Sequence, residues 1–168
     1  MLIEMALSSY DDIFSDFDIR NYRQRQISKD FLDELKIRMI KRIDDSRPLI
    51  ILVIERSKRN IKNEKLIIKR LNAFFYERYF AHTKKLKRNI IISIISIVCG
   101  LVLLFVANII SKHIDAMFGD FLLIPSWYLV WNAFERVLGN SKEIKRKIKY
   151  YKELSKSTIE FKDREETQ

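Results

Sequence analysis

The feature that most constrains this chain is a run of 21 residues, from 90 to 110, that contains no Asp, Glu, Lys, Arg or His. Its sequence is IIISIISIVCGLVLLFVANII. A helix rises about 1.5 Å per residue, so this run is long enough to cross a hydrocarbon core of about 30 Å. A core helix of a soluble domain usually keeps one polar face, which this run lacks. We therefore predict a first transmembrane helix over residues 90–110.

A second, weaker apolar segment follows. Residues 121–134, FLLIPSWYLVWNAF, carry no charge, but these 14 residues are too few to cross a bilayer alone. A longer segment, from 116 to 138, is long enough to span, but only if the charged residues near its ends lie at the membrane interfaces. The alternative is a re-entrant or surface-lying segment. We predict a second transmembrane helix over residues 121–138, bent or started by Pro125.

The distribution of charge predicts the orientation of such a hairpin. The chain has 32 Lys and Arg against 22 Asp and Glu, a formal net charge of +10. Residues 46–89 hold 13 basic and 3 acidic side chains, residues 139–168 hold 9 and 6, and the connection at 111–120 has one lysine and no arginine. Bacterial membranes retain Lys and Arg on the cytoplasmic side. We therefore expect a multi-pass protein of the bacterial inner membrane with both termini cytoplasmic.

Basic and aromatic side chains flank the apolar segments and are expected to contact lipid head groups. Lys and Arg beside a span anchor its topology and attract anionic lipids, and Trp is enriched at the interface. The start MLIEMALSSYDD lacks a basic region followed by a long apolar stretch, so we expect no cleavable signal. The residues assigned to the membrane interface are Lys84, Lys85, Lys87, Arg88, Trp127, Trp131, Lys145, Arg146 and Lys147.

The remaining sequence predicts a small cytosolic α+β domain made from the N- and C-terminal segments. Ser28 is a suitable N-cap for a helix that runs to Ile43. Leu32, Leu35 and Met39 recur at helical spacing and form one apolar stripe with Ile43. This helix would pack its apolar stripe against a sheet.

Two short segments predict the strands of that sheet. LIILVI, residues 49–54, is too short to span a membrane and rich in β-branched residues, so a strand buried on both faces fits best. STIEFK, residues 157–162, alternates with Ile159 and Phe161 pointing inward. Two strands alone are marginal, so the domain must pack them on helices or share its sheet with another copy. We therefore expect a homo-oligomer.

The order of these elements predicts seven regions. No Pro or Gly lies between Glu64 and Val98, so the helix before the first span can continue into it unbroken. The predicted regions are an acidic N-terminal segment (1–27), a cytosolic helix and strand (28–63), a helical stalk (64–89), the first transmembrane helix (90–110), an outside loop (111–120), the second transmembrane helix (121–138), and a cytosolic helix, short strand and tail (139–168).

No residue pattern predicts an enzyme, a metal site or a cofactor. The single cysteine, Cys99, excludes a disulfide framework and a cysteine-built zinc site. No histidine is placed beside a plausible nucleophile, and no carboxylates are paired in an apolar setting. The aspartates at 11, 12, 16 and 18 lack the glycine and final glutamate of a calcium loop. We interpret them as part of a solvated segment that docks through Phe14 and Phe17.

A further set of basic residues predicts an anion site. Arg56, Lys58 and Arg59 follow a buried strand and are farther along the chain from the apolar segments than the interface clusters. Guanidinium groups suit phosphate geometry, so a phosphate-bearing ligand such as a cyclic nucleotide is expected. Long nucleic acid is not expected, because the membrane accounts for the strongest basic clusters. The candidate ligand-binding residues are Arg20, Arg23, Arg25, Arg56, Lys58 and Arg59.

Three segments of the chain resemble parts of known bacterial membrane proteins. They are YDDIFSDFDIRNYRQRQIS near the start, LNAFFYERYF before the first span and WYLVWNAFERVL at the second. Together with the order of elements, they resemble small bacterial two-transmembrane proteins with a cytosolic α/β domain. The architecture also looks like membrane effectors of bacterial antiphage systems controlled by cyclic nucleotides. This second resemblance implies signal sensing by the cytosolic domain.

Two functions from different classes are consistent with these features. The first is an inner-membrane effector whose cytosolic domain senses a signal and whose spans then alter membrane integrity. The second is a membrane anchor or scaffold that recruits a soluble partner encoded nearby. Only the first requires the spans to change their packing, and Ser93, Ser96, Asn108 and Asn132 favour it slightly because they place polar groups within the apolar segments.

Overall fold

The structure, a computed structural model, is mostly helical and contains a small parallel sheet. It describes residues 2–40, 48–114 and 116–164. The regular elements are β1 (Leu2–Ala6), α1 (Lys29–Ile40), β2 (Leu49–Ile54), α2 (Ile61–His113), α3 (Ala116–Glu135), α4 (Ser141–Leu154) and β3 (Thr158–Asp163).

The chain forms two compact units. The first contains Met1–Tyr79 and Tyr150–Gln168, and the second contains Phe80–Lys149. α2 is a continuous helix of 53 residues that contributes to both units. This confirms the prediction that the helix before the apolar run continues into it.

The sheet of the first unit has three parallel strands in the order β1-β2-β3. Ile50 pairs in register with Ile3 on one side and Ile159 on the other. Leu52 lies in the same way between Met5 and Phe161, and both rows are buried. Parallel neighbours need long crossovers. α1 supplies the first crossover, and the whole segment from α2 to α4 supplies the second.

Helices α1 and α2 and the end of α4, through Leu154, cover the buried side of this sheet. Phe31 and Leu35 of α1 and Ile67, Leu71 and Phe75 of α2 belong to the same apolar cluster as the inward-facing strand residues. The prediction of an apolar stripe on the first helix is confirmed for Leu35 and Met39, which are buried. Ile43, the predicted end of that helix, and the predicted break at 44–47 lie outside the described residues.

The predicted strands at 49–54 and 157–162 are confirmed with a shift of one residue in the second, but the expected two-stranded sheet is wrong. Leu2–Ala6 forms a third strand within the region assigned as an acidic segment. Its sequence, LIEMA, has a single β-branched residue and a weak intrinsic preference for strand. The strand forms because pairing with β2 allows Ile3 and Met5 to be buried.

The acidic segment folds into an ordered loop, and its aspartates at 11, 12 and 16 are exposed to solvent as expected. Phe14 forms an antiparallel bridge with Ile27, and both are buried. The expected docking of Phe14 is therefore confirmed. The expected docking of Phe17 is wrong, because this side chain is 100% exposed.

In the second unit, α3 packs closely against the apolar part of α2. Small buried residues recur every seven positions on both helices, which is the period of left-handed helix pairs. A Cβ added at Gly100 would lie 2.8 Å from Val130 Cγ2, and one added at Gly119 would lie 2.8 Å from the Ala107 carbonyl oxygen. The small residues are Ser93, Gly100 and Ala107 on α2, and Gly119, Ser126 and Ala133 on α3.

Polar groups within this helix pair are satisfied locally. The Ser93 hydroxyl donates to the Asn89 carbonyl at 2.9 Å, and the Ser126 hydroxyl donates to the Leu122 carbonyl at 2.6 Å. Neither buried hydroxyl therefore requires water. The predicted loop at 111–120 is mostly helical, because α2 ends at His113 and α3 begins at Ala116.

Within the described residues, α2 is the one helix long and apolar enough to cross a membrane. Much of the apolar surface on α2 and α3 is exposed: Phe105, Phe121 and Trp131 are examples. α3 packs back against α2, and polar residues such as Asp120 and Asn132 interrupt its apolar sequence.

We predict that Gly119→Ala destabilises the helix pair although alanine is the better helix former. The propensity gain is about 1 kcal/mol. It is opposed by overpacking against the backbone of α2, which costs about 1–3 kcal/mol. Gly139→Ala is the matched control, because a Cβ there meets nothing within 4 Å. Thermal unfolding in detergent should show a lower midpoint for Gly119→Ala only, and equal midpoints would contradict close packing.

Candidate functional site at the carboxyl edge of the sheet

The three parallel strands all end at one edge of the sheet. Open α/β sheets bind ligands beyond this carboxyl edge. Ser8 to Tyr10 follow β1, Glu55 to Asn60 follow β2, and Asp163 is the last residue of β3. These residues form the candidate site.

An ion-pair cluster ties these strand ends to the first turn of α2. Arg59 Nε and Nη2 each donate to one carboxylate oxygen of Glu64 at 2.9 Å. Arg59 Nη1 donates to Asp163 Oδ1 at 2.8 Å. We call Arg59, Glu64, Asp163 and Tyr10 the Arg59 clasp. Each guanidinium nitrogen of Arg59 therefore has a carboxylate partner within the chain.

Tyr10 brings the end of β1 into the clasp. Its hydroxyl donates to Glu64 Oε1 at 3.0 Å and accepts from the Asn60 backbone N–H at 2.7 Å. Its ring lies edge-on to Phe161 of β3, with 5.7 Å between centroids. The Asn60 side chain caps α2 by accepting from the N–H of Lys62 at 3.0 Å. All three strands are thus connected to the start of one helix.

The electrostatics of the clasp favour the charged forms of the ion pair. Hydrogen bonds from Arg59 lower the pKa of Glu64 below its ordinary value of 4.5, although burial acts in the opposite direction. The carboxylates of Glu64 and Asp163 raise the pKa of Arg59. Burial raises the pKa of Tyr10. Glu64 is therefore a carboxylate with three donors, an arrangement that suits a structural lock better than proton transfer.

The three candidate ligand-binding residues after β2 have different environments. Arg59 is held in the clasp. Lys58 Nζ lies 3.3 Å from Glu55 Oε2 and donates to the Ser8 carbonyl at 3.2 Å. Arg56 is exposed and has no ion-pair partner among the described residues. Arg56 and Lys58 are therefore the cations through which this edge could contact a dissolved anion.

The three candidate arginines near the N-terminus do not join those residues around a shared ligand site. Arg20 forms a two-point ion pair with Asp18, with nitrogen–oxygen distances of 2.9 and 2.7 Å. Arg25 pairs with Asp11 and lies over the Phe14 ring. Arg23 is exposed, and no described residue forms an ion pair with it. Each paired guanidinium thus contacts its own neighbouring carboxylate.

The aspartates of this segment stabilise the loop. Asp12 Oδ2 accepts from the backbone N–H of Ser8 at 2.6 Å and of Ser9 at 3.2 Å. Asp18 Oδ2 accepts from the Gln26 N–H at 2.8 Å, and the Arg20 side chain holds the pKa of Asp18 well below its usual range. Within the described residues, no group of three His, Cys, Asp or Glu side chains is placed to hold a metal ion.

The predicted interface residues line two grooves in the second unit. The first, of about 530 Å³, lies among Ala81, Ile91, Ile92 and basic residues. The second, of about 430 Å³, includes Val130, Phe134 and Leu138. On α4, Lys147 pairs with Glu143 at 2.7 Å, and Lys145 and Arg146 are exposed. The interface residues in the first groove are Lys84, Lys85, Lys87 and Arg88, and those in the second are Trp127 and Trp131.

Comparison with known proteins assigns no family. No protein-family model matches the chain, and no curated protein or solved structure is significantly similar to it.

Sequence reasoning missed Tyr10, Glu64 and Asp163 as partners of Arg59. Arg59 and Glu64 are five residues apart across a helix start, and Asp163 is 104 residues from Arg59. A partial signal was present, since a buried carboxylate in the first turn of a helix needs a donor. Glu64 stands beside the apolar stripe that begins at Ile67, so its burial could have been anticipated.

We predict that Glu64→Gln lowers the free energy of unfolding by about 2 kcal/mol, because it leaves Arg59 partly buried without its main carboxylate. Glu55→Gln, on the exposed partner of Lys58, should change it by at most about 0.5 kcal/mol. Denaturant titration in detergent measures both. Equal effects would contradict a structural clasp.

A comparison of wild type with Glu64→Gln at different pH values tests the charge state of Glu64. The folded-state pKa of Glu64 is depressed, so its stabilising contribution is complete above its unfolded-state value of 4.5 and is lost as pH falls through the folded-state value. The stability difference between wild type and Glu64→Gln should therefore shrink below pH 4.5. A difference that grows on acidification would contradict the assigned charge state.

Proposed function

We propose that this chain is an inner-membrane effector whose α2–α3 hairpin lies in the bilayer and whose cytosolic unit senses a signal that alters membrane integrity in antiphage defence. The exposed apolar surface of the hairpin carries the proposal. Phe105, Phe118 and Trp127 are more than half exposed, as are many aliphatic neighbours. An apolar belt of this kind is stable against lipid and unfavourable in water.

The basic residues support an orientation with both termini in the cytoplasm. Lys84, Lys85, Lys87 and Arg88 precede the apolar part of α2, and α4 is basic along most of its length. None of the four cations on α2 has an ion-pair partner among the described residues. They are therefore available to anionic head groups on the side where the positive-inside rule retains them.

The sensing step is supported by the position of the clasp. Arg56 and Lys58 open onto the carboxyl edge of the sheet, beside Arg59. A phosphate-bearing ligand such as a cyclic nucleotide would compete with Glu64 and Asp163 for the donors of Arg59. Because Glu64 lies in the first turn of α2, this exchange would act on the helix that contains the apolar run. The protein acts as a homo-oligomer in this proposal.

A membrane anchor or scaffold for a soluble partner is the second candidate. The helix pair favours it, because Gly100 and Gly119 leave no space for repacking and the buried serines are satisfied within their own helices. A fixed anchor needs no change in the hairpin. The two functions therefore differ in whether a ligand alters the membrane.

Topology is tested with single cysteines in a Cys99→Ser background. We predict that Lys112→Cys reacts with a membrane-impermeant maleimide in intact cells. Lys156→Cys should react only after the inner membrane is permeabilised, because α3 returns the chain to the cytoplasm. Labelling of both positions in intact cells would show that α3 does not cross.

Ligand sensing is tested by calorimetry on the purified full-length protein against a panel of cyclic di- and oligonucleotides. We predict that Arg56→Glu with Lys58→Glu weakens binding at least about tenfold, through loss of two cations and gain of repulsion. Lys65→Glu with Lys69→Glu is the charge-matched control on the exposed side of α2. Arg59 is left intact because its loss would disrupt the clasp.

Two outcomes would contradict sensing at this edge. The first is that no member of the panel binds the wild-type protein, which favours the anchor. The second is that both double variants bind as tightly as wild type, which places any ligand elsewhere.

A further inference from the structure

The groove at the start of the apolar part of α2 has a cationic end and an apolar end. Lys84 and Lys85 lie one helical turn before Arg88, and these three cations line its first part. Ile91 and Ile92 lie one turn after Arg88 and line its other part. The volume of the groove is about 530 Å³. We call it the basic groove.

The cations of the basic groove are not neutralised by neighbouring carboxylates. Between Glu77 and the end of the apolar run at 110, the sequence contains no acidic residue. Among the residues that the structure describes, none forms an ion pair with these cations. Like charges one turn apart on a helix repel each other, and Lys84 and Arg88 occupy such positions. An anion that contacts both side chains would relieve this repulsion.

An apolar strip continues from the basic groove along α2. Ile95 and Val102 of this strip are each 56% exposed, and Cys99 between them is exposed as well. α3 packs against a different side of α2, the side that contains Gly100, so it does not cover the strip. Steps of four and three residues from Arg88 give the members of the strip, which are Ile92, Ile95, Cys99, Val102 and Val106.

A phospholipid has the chemistry and the length that the groove and the strip require. Its phosphate suits ammonium and guanidinium donors, and its acyl chain suits an exposed apolar strip. From Arg88 to Cys99 the helix rises about 16 Å, which is the depth of one leaflet in a hydrocarbon core of ~30 Å. We propose that the basic groove binds one anionic phospholipid of the cytoplasmic leaflet, with its phosphate at Lys84, Lys85 and Arg88 and one acyl chain along the apolar strip.

The charges of the groove select a head group with net negative charge. A zwitterionic head group carries a cation beside its phosphate, and the cations of the groove repel that cation. An anionic head group meets no such repulsion, and each basic side chain near it adds to the attraction. The site rests on the bilayer placement of the hairpin in the proposed function, but it requires neither nucleotide sensing nor self-association.

The groove on α3 provides an internal comparison. It has a volume of about 430 Å³ and contains Trp127, Trp131 and Glu135, and no Lys or Arg is among the described residues that line it. An acyl chain can lie there, but no cation selects the head group. The chain has two tryptophans, both in this groove, and one cysteine, which lies on the apolar strip. The natural sequence therefore offers a separate fluorescent probe or labelling position for each site.

Quenching by brominated phospholipids tests the selection at both sites in one sample. The full-length protein is labelled with a fluorophore at Cys99 and reconstituted in phosphatidylcholine nanodiscs. A small fraction of the lipid is either brominated phosphatidylglycerol, which is anionic, or brominated phosphatidylcholine. We expect the anionic lipid to quench the Cys99 label at least about twofold more than the zwitterionic lipid does, because the basic groove concentrates it. Tryptophan emission should be quenched equally by the two lipids.

Two double variants identify the cations that are responsible. Lys84→Gln with Arg88→Gln should abolish the preference of the Cys99 label for the anionic lipid. Lys145→Gln with Arg146→Gln is the charge-matched control, because it removes two exposed cations from α4, and it should keep the preference. A measurement without the label follows thermal unfolding in detergent. Added phosphatidylglycerol should raise the unfolding midpoint of wild type and of the α4 variant more than that of the groove variant.

Three outcomes would overturn the proposal. If both brominated lipids quench the Cys99 label equally, the hairpin lies in the bilayer but the groove selects no lipid. If the two double variants lose the preference equally, or tryptophan shows the same preference as the label, the basic surface as a whole enriches anionic lipid and the groove is not a distinct site. If neither lipid quenches the label, α2 does not lie in the bilayer, and the membrane placement in the proposed function fails as well.

Discussion

The parallel pairing of β2 with both of its neighbours is the constraint on which the architecture depends. A parallel neighbour cannot be reached by a tight turn, so each strand must be followed by a crossover. Between β1 and β2, α1 meets this need. Between β2 and β3, the crossover contains the entire helical hairpin. The hairpin is therefore an insertion into a βαβ unit, and the first unit is made from both ends of the chain.

This arrangement explains why the chemistry of the chain gathers at one edge. Parallel strands place all their carboxyl ends together, and α2 starts at the same edge. The cost of bringing Glu64 into a partly buried position is offset by three donors, two from Arg59 and one from Tyr10. The clasp thus fixes the start of a 53-residue helix to every strand of the sheet.

The sequence predicted the elements with strong local patterns. LIILVI fitted a buried strand best, and the alternation of Ile159 and Phe161 predicted a second strand. The apolar run at 90–110 and the absence of helix breakers before it predicted one continuous helix. LIEMA was missed because its pairing partner, 47 residues away in register, supplies most of the reason for its conformation. The roles of the charged residues were the least predictable, because Asp11 and Arg25, or Arg59 and Asp163, meet only after the chain folds.

The insertion of the hairpin also sets an order of events during synthesis. β3 follows α4 in the chain. β2 therefore cannot pair with β3 until the ribosome has made the whole hairpin. Domains generally fold as units during synthesis, and strands with unpaired edges are prone to aggregate. The edge of β2 that pairs with β3 therefore stays unpaired while more than 100 residues, from the end of β2 at Ile54 to the start of β3, are synthesised. The three-stranded sheet can therefore be completed only after the whole hairpin has been synthesised.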